Sequence, residues 1–116
     1  MNLGEFIVAL SALDNASLLP VICEDGRFLG DFESYRGYYD QIALRPSAQA
    51  VSAGLLLTRA KTAVGATFEG YKGGDFVMSE DTRLWVSEHG CCESLRPMAV
   101  EVRDGAVIVE VVDVGF

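Results

Sequence analysis

Apolar positions along the chain fall into two helical stretches and several strand-like ones. Leu3, Phe6, Ile7, Leu10 and Leu13 recur at helical spacing and place one apolar stripe on a first helix over about residues 3–14. Asn2, followed three positions on by Glu5, reads as a capping box at its start. A second helix is marked by Ala53, Leu56, Leu57, Ala60, Ala63 and Val64 on one face, with Ser52, Arg59 and Thr62 on the other. Gly65 then supplies a stop.

Elsewhere the period shortens to two. Val21-Ile22-Cys23-Glu24 faces Arg27-Phe28-Leu29 across Asp25-Gly26, a dipeptide suited to a two-residue type I′ turn that sets Glu24 opposite Arg27. A third strand is expected from Tyr38 to Arg45, ending at Pro46, and shorter ones at Thr67-Phe68-Glu69, Asp75 to Met78 and Arg83 to Val86. The last hairpin turns on Asp104-Gly105. That turn pairs Val102 with Val107, Val100 with Val109 and Met98 with Val111 on one face, with Glu101 opposite Ile108 and Ala99 opposite Glu110 on the other. No internal repeat, low-complexity tract or linker is evident. The expectation is a single α+β domain over residues 1–116, an antiparallel sheet of about five to seven strands with two short helices packed on one face.

Composition narrows the partners. Half of the 116 residues are hydrophobic, enough for a core without staples, and 17 acidic against 9 basic residues leave a formal charge of −8. Such a balance argues against direct nucleic-acid binding and against an anionic membrane surface, and it favours a basic protein partner or a small molecule held in a local pocket. Cys23 and the neighbours Cys91 and Cys92 are an odd set, and adjacent cysteines bridge each other only with strain, so they read as reduced thiols in a cytoplasm. The opening Met1-Asn2-Leu3-Gly4-Glu5 has no basic signal region, and no apolar run reaches the roughly 18 residues of a membrane span.

Four places in the sequence invite chemistry. His89 beside Cys91 and Cys92 suggests a thiol nucleophile or zinc, but the spacing lacks the paired Cys-x₂₋₄-Cys frame of a metal site, and a loop with one buried thiol is the plain alternative. The turn Gly70-Tyr71-Lys72-Gly73-Gly74 offers bare amides and a lysine to an anion, while a tight turn between strands explains the same glycines. Around Ser34-Tyr35-Arg36-Gly37-Tyr38-Tyr39-Asp40, tyrosines flank an arginine as recognition surfaces and stacking platforms do, and alternation sends Tyr38 and Tyr39 to opposite faces, one of them toward the core. Trp85 alternates with Leu84 and Val86, sharing a face with Arg83 and Ser87, which suggests a half-exposed indole at a contact surface or over a helix end.

The run Ser34-Tyr35-Arg36-Gly37-Tyr38-Tyr39-Asp40, followed by a helix, by Thr67 to Met78 and by Asp81-Thr82-x-Leu84-Trp85-Val86, resembles a group of small uncharacterised proteins encoded by tailed bacteriophages and prophages. The likeness spans roughly residues 20–92 and leaves the hairpin of residues 97–116 outside it. It implies a phage context, with residence in the host-cell cytoplasm and a counter-defence role, and assigns no catalytic residue. Together these readings lead to a non-enzymatic accessory binding protein that needs no cofactor and either sequesters a small nucleotide-like ligand or blocks a host protein. Its expected recognition surface comprises Tyr35, Arg36, Tyr38, Tyr39, Tyr71, Lys72, Gly73, Gly74, Trp85 and His89. The alternatives are a small hydrolase or transferase using cysteine and histidine, and a homo-oligomer joined through an edge strand of the C-terminal hairpin.

Overall fold

The computed structural model describes residues 1–34, 41–69, 75–87 and 95–113. Its elements are α1 (Leu3–Ser11), β1 (Val21–Cys23), β2 (Phe28–Ser34), β3 (Ile42–Ser47), α2 (Ala53–Ala63), β4 (Thr67–Glu69), β5 (Asp75–Val77), β6 (Leu84–Val86), β7 (Leu95–Arg103) and β8 (Ala106–Asp113). The fold is α+β. Six of the strands close into a barrel in the order β1-β2-β3-β6-β7-β8, while β4 and β5 form a separate two-stranded hairpin.

Local signals set the helices. The Asn2 side chain accepts from the Glu5 amide at 2.8 Å and the Glu5 carboxylate accepts from the Asn2 amide at 2.8 Å, which is the capping box read from sequence. Ser52 caps α2 by accepting from the Leu55 amide. The two stripes, Leu3, Phe6 and Leu10 from α1 and Ala53, Leu56, Ala60 and Ala63 from α2, join Val21, Leu29, Ile42, Leu44, Leu84, Val86, Val107 and Val109 in one continuous core. The sheet therefore wraps around its own core, and the helices complete that core.

Barrel closure depends on two parallel pairings, β3 with β6 and β1 with β8, so β1, β3, β6 and β8 run one way and β2 and β7 the other. The C-terminal hairpin is consequently no free edge. Its β8 is flanked by β7 and, over Val107 to Val109, by β1, which leaves that stretch no backbone groups for a second copy to pair.

Three expectations about register change. The first hairpin pairs Ile22 with Phe28 around the loop Glu24-Asp25-Gly26, with Gly26 at φ +98° and its amide donating to the Cys23 carbonyl at 2.8 Å. One more loop residue moves Glu24 out of the ladder, and Arg27 pairs with Asp25 instead. Asp104-Gly105 forms the expected two-residue turn, with φ of 52° and 77°, but a bulge between Pro97 and Ala99 puts Pro97, not Met98, opposite Val111 and leaves Met98 exposed. The third strand starts at Ile42 and carries through Pro46 to Ser47, and Tyr38 to Asp40 lie outside the described residues.

The larger correction is that the chain does contain an internal repeat, visible only in three dimensions. Leu3 and Gly4 donate their amides to Thr82 and Glu80 at 2.9 and 2.8 Å; Ala53 and Gly54 donate theirs to Leu19 and Ser17 at 2.8 and 2.9 Å. The cap Asn2 bridges Arg83 just before β6, and the cap Ser52 bridges Pro20 just before β1. Ile42 pairs with Leu84 as Val107 pairs with Val21, and the bulge between Pro97 and Ala99 in β7 repeats one between Leu29 and Asp31 in β2. The unit α1-β1-β2-β3 is thus related to α2-β6-β7-β8 by a pseudo-twofold exchange.

Gly4 and Gly54, matched by that exchange, both sit where a helix starts against a neighbouring turn. A Cβ on Gly4 would lie 2.9 Å from the Glu80 Cβ and 3.1 Å from its carbonyl oxygen, whereas one on Gly54 would meet the Ser17 carbonyl at 3.0 Å. Alanine gains up to about 1 kcal/mol of helix propensity at either site. Gly4→Ala is expected to lose net stability, by about 1–2 kcal/mol, because Glu80 must shift, and Gly54→Ala is expected to stay within about 1 kcal/mol of the parent in urea denaturation.

Candidate functional site

The pseudo-twofold makes its own departures measurable. Between β7 and β8 the chain turns in the two residues Asp104-Gly105, while the matching β2 and β3 are joined by residues 35–41. Between β1 and β2 lie residues 24–27, against 87–94 between β6 and β7. Residues 12–20 take α1 into β1, whereas 64–83, with the whole β4–β5 hairpin, take α2 into β6. Each longer connection enters β3, enters β6 or leaves β6, and β3 and β6 are neighbours.

Since the short versions close the same geometry elsewhere in the molecule, chain closure alone does not call for the extra length, although the 64–83 connection also gives the core its buried Met78. Tyr35, Arg36, Tyr38, Tyr39, Tyr71, Lys72, Gly73, Gly74 and His89, with Cys91 and Cys92, belong to these longer connections and lie outside the described residues. What the structure places is where they depart from the fold. Gln41, which follows segment 35–40, and Val77, which closes the strand after segment 70–74, line one open cleft of about 380 Å³ together with Ser79, Asp81, Thr82 and Arg83. Residues 35–40 therefore rejoin the described chain at Gln41 in the wall of this cleft, whereas residues 70–74 connect Glu69 to Asp75 at the end of the β4–β5 hairpin away from Val77.

Trp85 is the one proposed site residue within the described set, and it corrects the expectation of a half-exposed indole. Alternation did place it outward, with Leu84 and Val86 in the barrel core, yet it is only 3% exposed. Ala43 on the adjacent strand is small enough to receive the ring, the Gln41 Oε1 accepts from the indole Nε1 at 2.6 Å, and the Arg96 guanidinium carbon lies 5.3 Å from the ring centroid. Outward-facing is not exposed once a strand neighbour covers the face. The matched positions in the other half, Ile22 for Trp85, Phe28 for Arg96 and Pro20 for Arg83, carry no charge.

Electrostatics follow the same side. Burial lowers the Arg96 pKa, the charge of nearby Arg83 lowers it further, and Glu5 partly offsets both. Arg96 donates to the Met1 carbonyl at 3.3 Å, and its Nε is buried without a hydrogen-bond partner among the described residues. Two guanidiniums thus sit close together in an acidic protein. Sequence reasoning missed Gln41, Ser79, Arg83 and Arg96 as a group because they come from three separate stretches, the entry to β3, the β5–β6 connection and β7, which only the β3–β6 and β6–β7 pairings bring together.

At the far end of β6, a polar network fixes Ser87, which follows the strand. The Ser87 hydroxyl donates to Glu33 Oε1 at 2.6 Å, its carbonyl accepts from Arg27 Nη1 at 2.5 Å, and Arg27 is ion-paired with Asp25 at 2.8 Å. Burial would raise the Asp25 pKa, but hydrogen bonds from Arg27 hold it below the usual carboxylate range. The pair therefore stabilises the fold above that range, and its contribution is lost as the pH falls through the lowered value. Comparing urea unfolding at pH 7 and pH 3, Asp25→Asn is expected to be less stable than the parent at pH 7 and to approach it at pH 3.

Cys23 is 1% exposed, and burial pushes its thiol pKa up, so it stays protonated and is no nucleophile. In native protein at pH 7.5 iodoacetamide is expected to leave Cys23 unmodified until denaturant is added, as mass mapping of its peptide checks. Among the described residues no three His, Cys, Asp or Glu side chains gather where they could hold a metal ion, and no helix is long and apolar enough to cross a membrane. Compared with protein-family models, with curated proteins and with solved structures, the chain finds no match.

Proposed function

We propose that the protein acts by binding rather than by catalysis, and that its recognition surface is the side of the barrel around β6. One observation carries this reading: the structure repeats itself about a pseudo-twofold, and each of its longer connections borders β3 or β6. Loops that a scaffold does not need for closure are where recognition is usually carried. The segments rooted there hold Tyr35, Arg36, Tyr38, Tyr39, Tyr71, Lys72 and His89, a mixture of rings and cations suited to a nucleotide-like ligand or to a host protein. The buried Trp85 gives that side of the barrel a fixed floor. In a phage or prophage setting, such a protein would serve as a counter-defence factor that removes a small signal or occupies a host component.

Native mass spectrometry of the protein purified from infected or lysogenic cells tests the reading. The expected result is a retained molecule which, added back, slows hydrogen exchange at residues 41–44 and 79–87 and leaves the matched stretches 20–24 and 106–109 unchanged. Protection centred on 20–24 and 106–109, or a bare chain from every preparation, would contradict it.

A further inference from the structure

We infer that the cleft at the entry to β6 takes a phosphorylated small molecule bearing free hydroxyls, a sugar phosphate or the sugar-phosphate part of a nucleotide, with Arg83 on the phosphate and Asp81 on a hydroxyl. This rests on the binding reading above and names its ligand class.

Arg83 is exposed, lines the cleft and has no carboxylate within ion-pair distance among the described residues, although Asp81 lines the same cleft. A guanidinium kept apart from a carboxylate two residues away leaves both free for a ligand: the planar fork suits two phosphate oxygens and the carboxylate accepts from hydroxyls. Arg96, opposite Trp85 in the β6–β7 register, stacks on that ring and donates to the Met1 carbonyl, which places a second positive charge on the face of β6 that Arg83 shares with Trp85. The Arg83 charge acts unfavourably on Arg96 in the empty protein, with Glu5 offsetting part of it, and an anion at Arg83 would relieve the rest. Gln41 and Ser79 add neutral hydrogen-bonding groups to the wall. The volume of about 380 Å³ lies at the small end of ligand pockets, the size of a sugar phosphate rather than of a peptide.

The matched region of the other half is an internal control. Pro20 stands for Arg83, Phe28 for Arg96 and Ala106 for Gln41, so the same backbone is built there without the charges. The arginines are not needed to form this strand entry.

Isothermal titration calorimetry of the full chain at low salt, with ribose 5-phosphate, inorganic phosphate and ribose as separate probes, tests the inference. Ribose 5-phosphate is expected to bind about tenfold or more tightly than inorganic phosphate, and ribose to give no measurable heat. Arg83→Gln should weaken ribose 5-phosphate by about tenfold or more, Arg83→Lys by less, and Asp81→Asn should bring it down to the level of inorganic phosphate. Circular dichroism checks that each variant is folded.

Equal binding of inorganic phosphate and ribose 5-phosphate would mean an adventitious ion only. That result, no heat from either phosphate, or unchanged binding by Arg83→Gln would each overturn the assignment. If these probes fail while the molecule retained in native mass spectrometry still protects residues 79–87, the ligand class is wrong and the binding surface stands; if both fail, the surface itself is wrong.

Discussion

Trp85→Ala is expected to destabilise the protein by about 3–5 kcal/mol, although its side chain lies outside the barrel core. The indole is 3% exposed, rests on Ala43, donates to Gln41 and carries Arg96 over its face, so truncation leaves a hole and two polar groups without their partner. For a domain whose total stability is of order 5–15 kcal/mol, that is a large share. Trp85→Phe separates the two parts of the loss: it keeps most of the buried ring and removes the 2.6 Å hydrogen bond to Gln41, for about 1–2 kcal/mol. Urea denaturation followed by far-ultraviolet circular dichroism measures both, since Trp85 is itself the only tryptophan fluorophore. Equal, small losses would show that the outer face of β6 is a soft surface, and the fixed floor assigned to it would be lost.

Phe6→Ala is expected to cost a similar 3–5 kcal/mol for a different reason. Phe6 is fully buried on α1 and meets Phe32 of β2 edge to face, with ring centroids 6.3 Å apart and planes at 78°, so it ties the first helix to the barrel wall. Val8, two residues on and 69% exposed, is the control, and Val8→Ala should change stability by less than about 0.5 kcal/mol. The contrast tests whether α1 is part of the core or a loosely attached lid.

What could be read in the sequence was what depends on near neighbours. The Asn2–Glu5 box, the helical stripes as far as Leu10 and Ala63, and the Asp104-Gly105 turn are decided within a few residues and stand as expected, while the first helix ends at Ser11, short of the expected residue 14 and its Leu13. Errors began where one residue changes a count. The three-residue loop at Glu24-Asp25-Gly26 and the bulge after Pro97 each shift a register that a minimal turn would have predicted. Closure through β1–β8 and β3–β6 was invisible because it joins segments far apart in the chain.

The repeat escaped notice for a related reason. Only the backbone contacts and the burial are shared: Gly4 matches Gly54, but Phe6 matches Leu56, Val21 matches Leu84 and Ile22 matches Trp85, so the two halves keep apolar character without keeping residue types. For the candidate site, the tyrosine, arginine and lysine segments were conspicuous by composition, whereas Gln41, Ser79, Arg83 and Arg96 become a group only when β3, β6 and β7 lie side by side. Exposure of Trp85 was misjudged because alternation tells which way a side chain points and nothing of what covers it.

Replacing residues 35–40 by Arg-Asp-Gly, the sequence that serves the matched hairpin at positions 103–105, tests the central claim most directly. Gln41 and both strands are kept, and shortening a loop changes closure entropy by well under about 1 kcal/mol. The expected result of paired urea denaturation and native mass spectrometry is a variant that unfolds within about 1 kcal/mol of the parent but no longer carries the molecule the parent retains. A variant that fails to fold, or one that folds and keeps the ligand, would show that the longer connections beside β6 serve the barrel and not recognition.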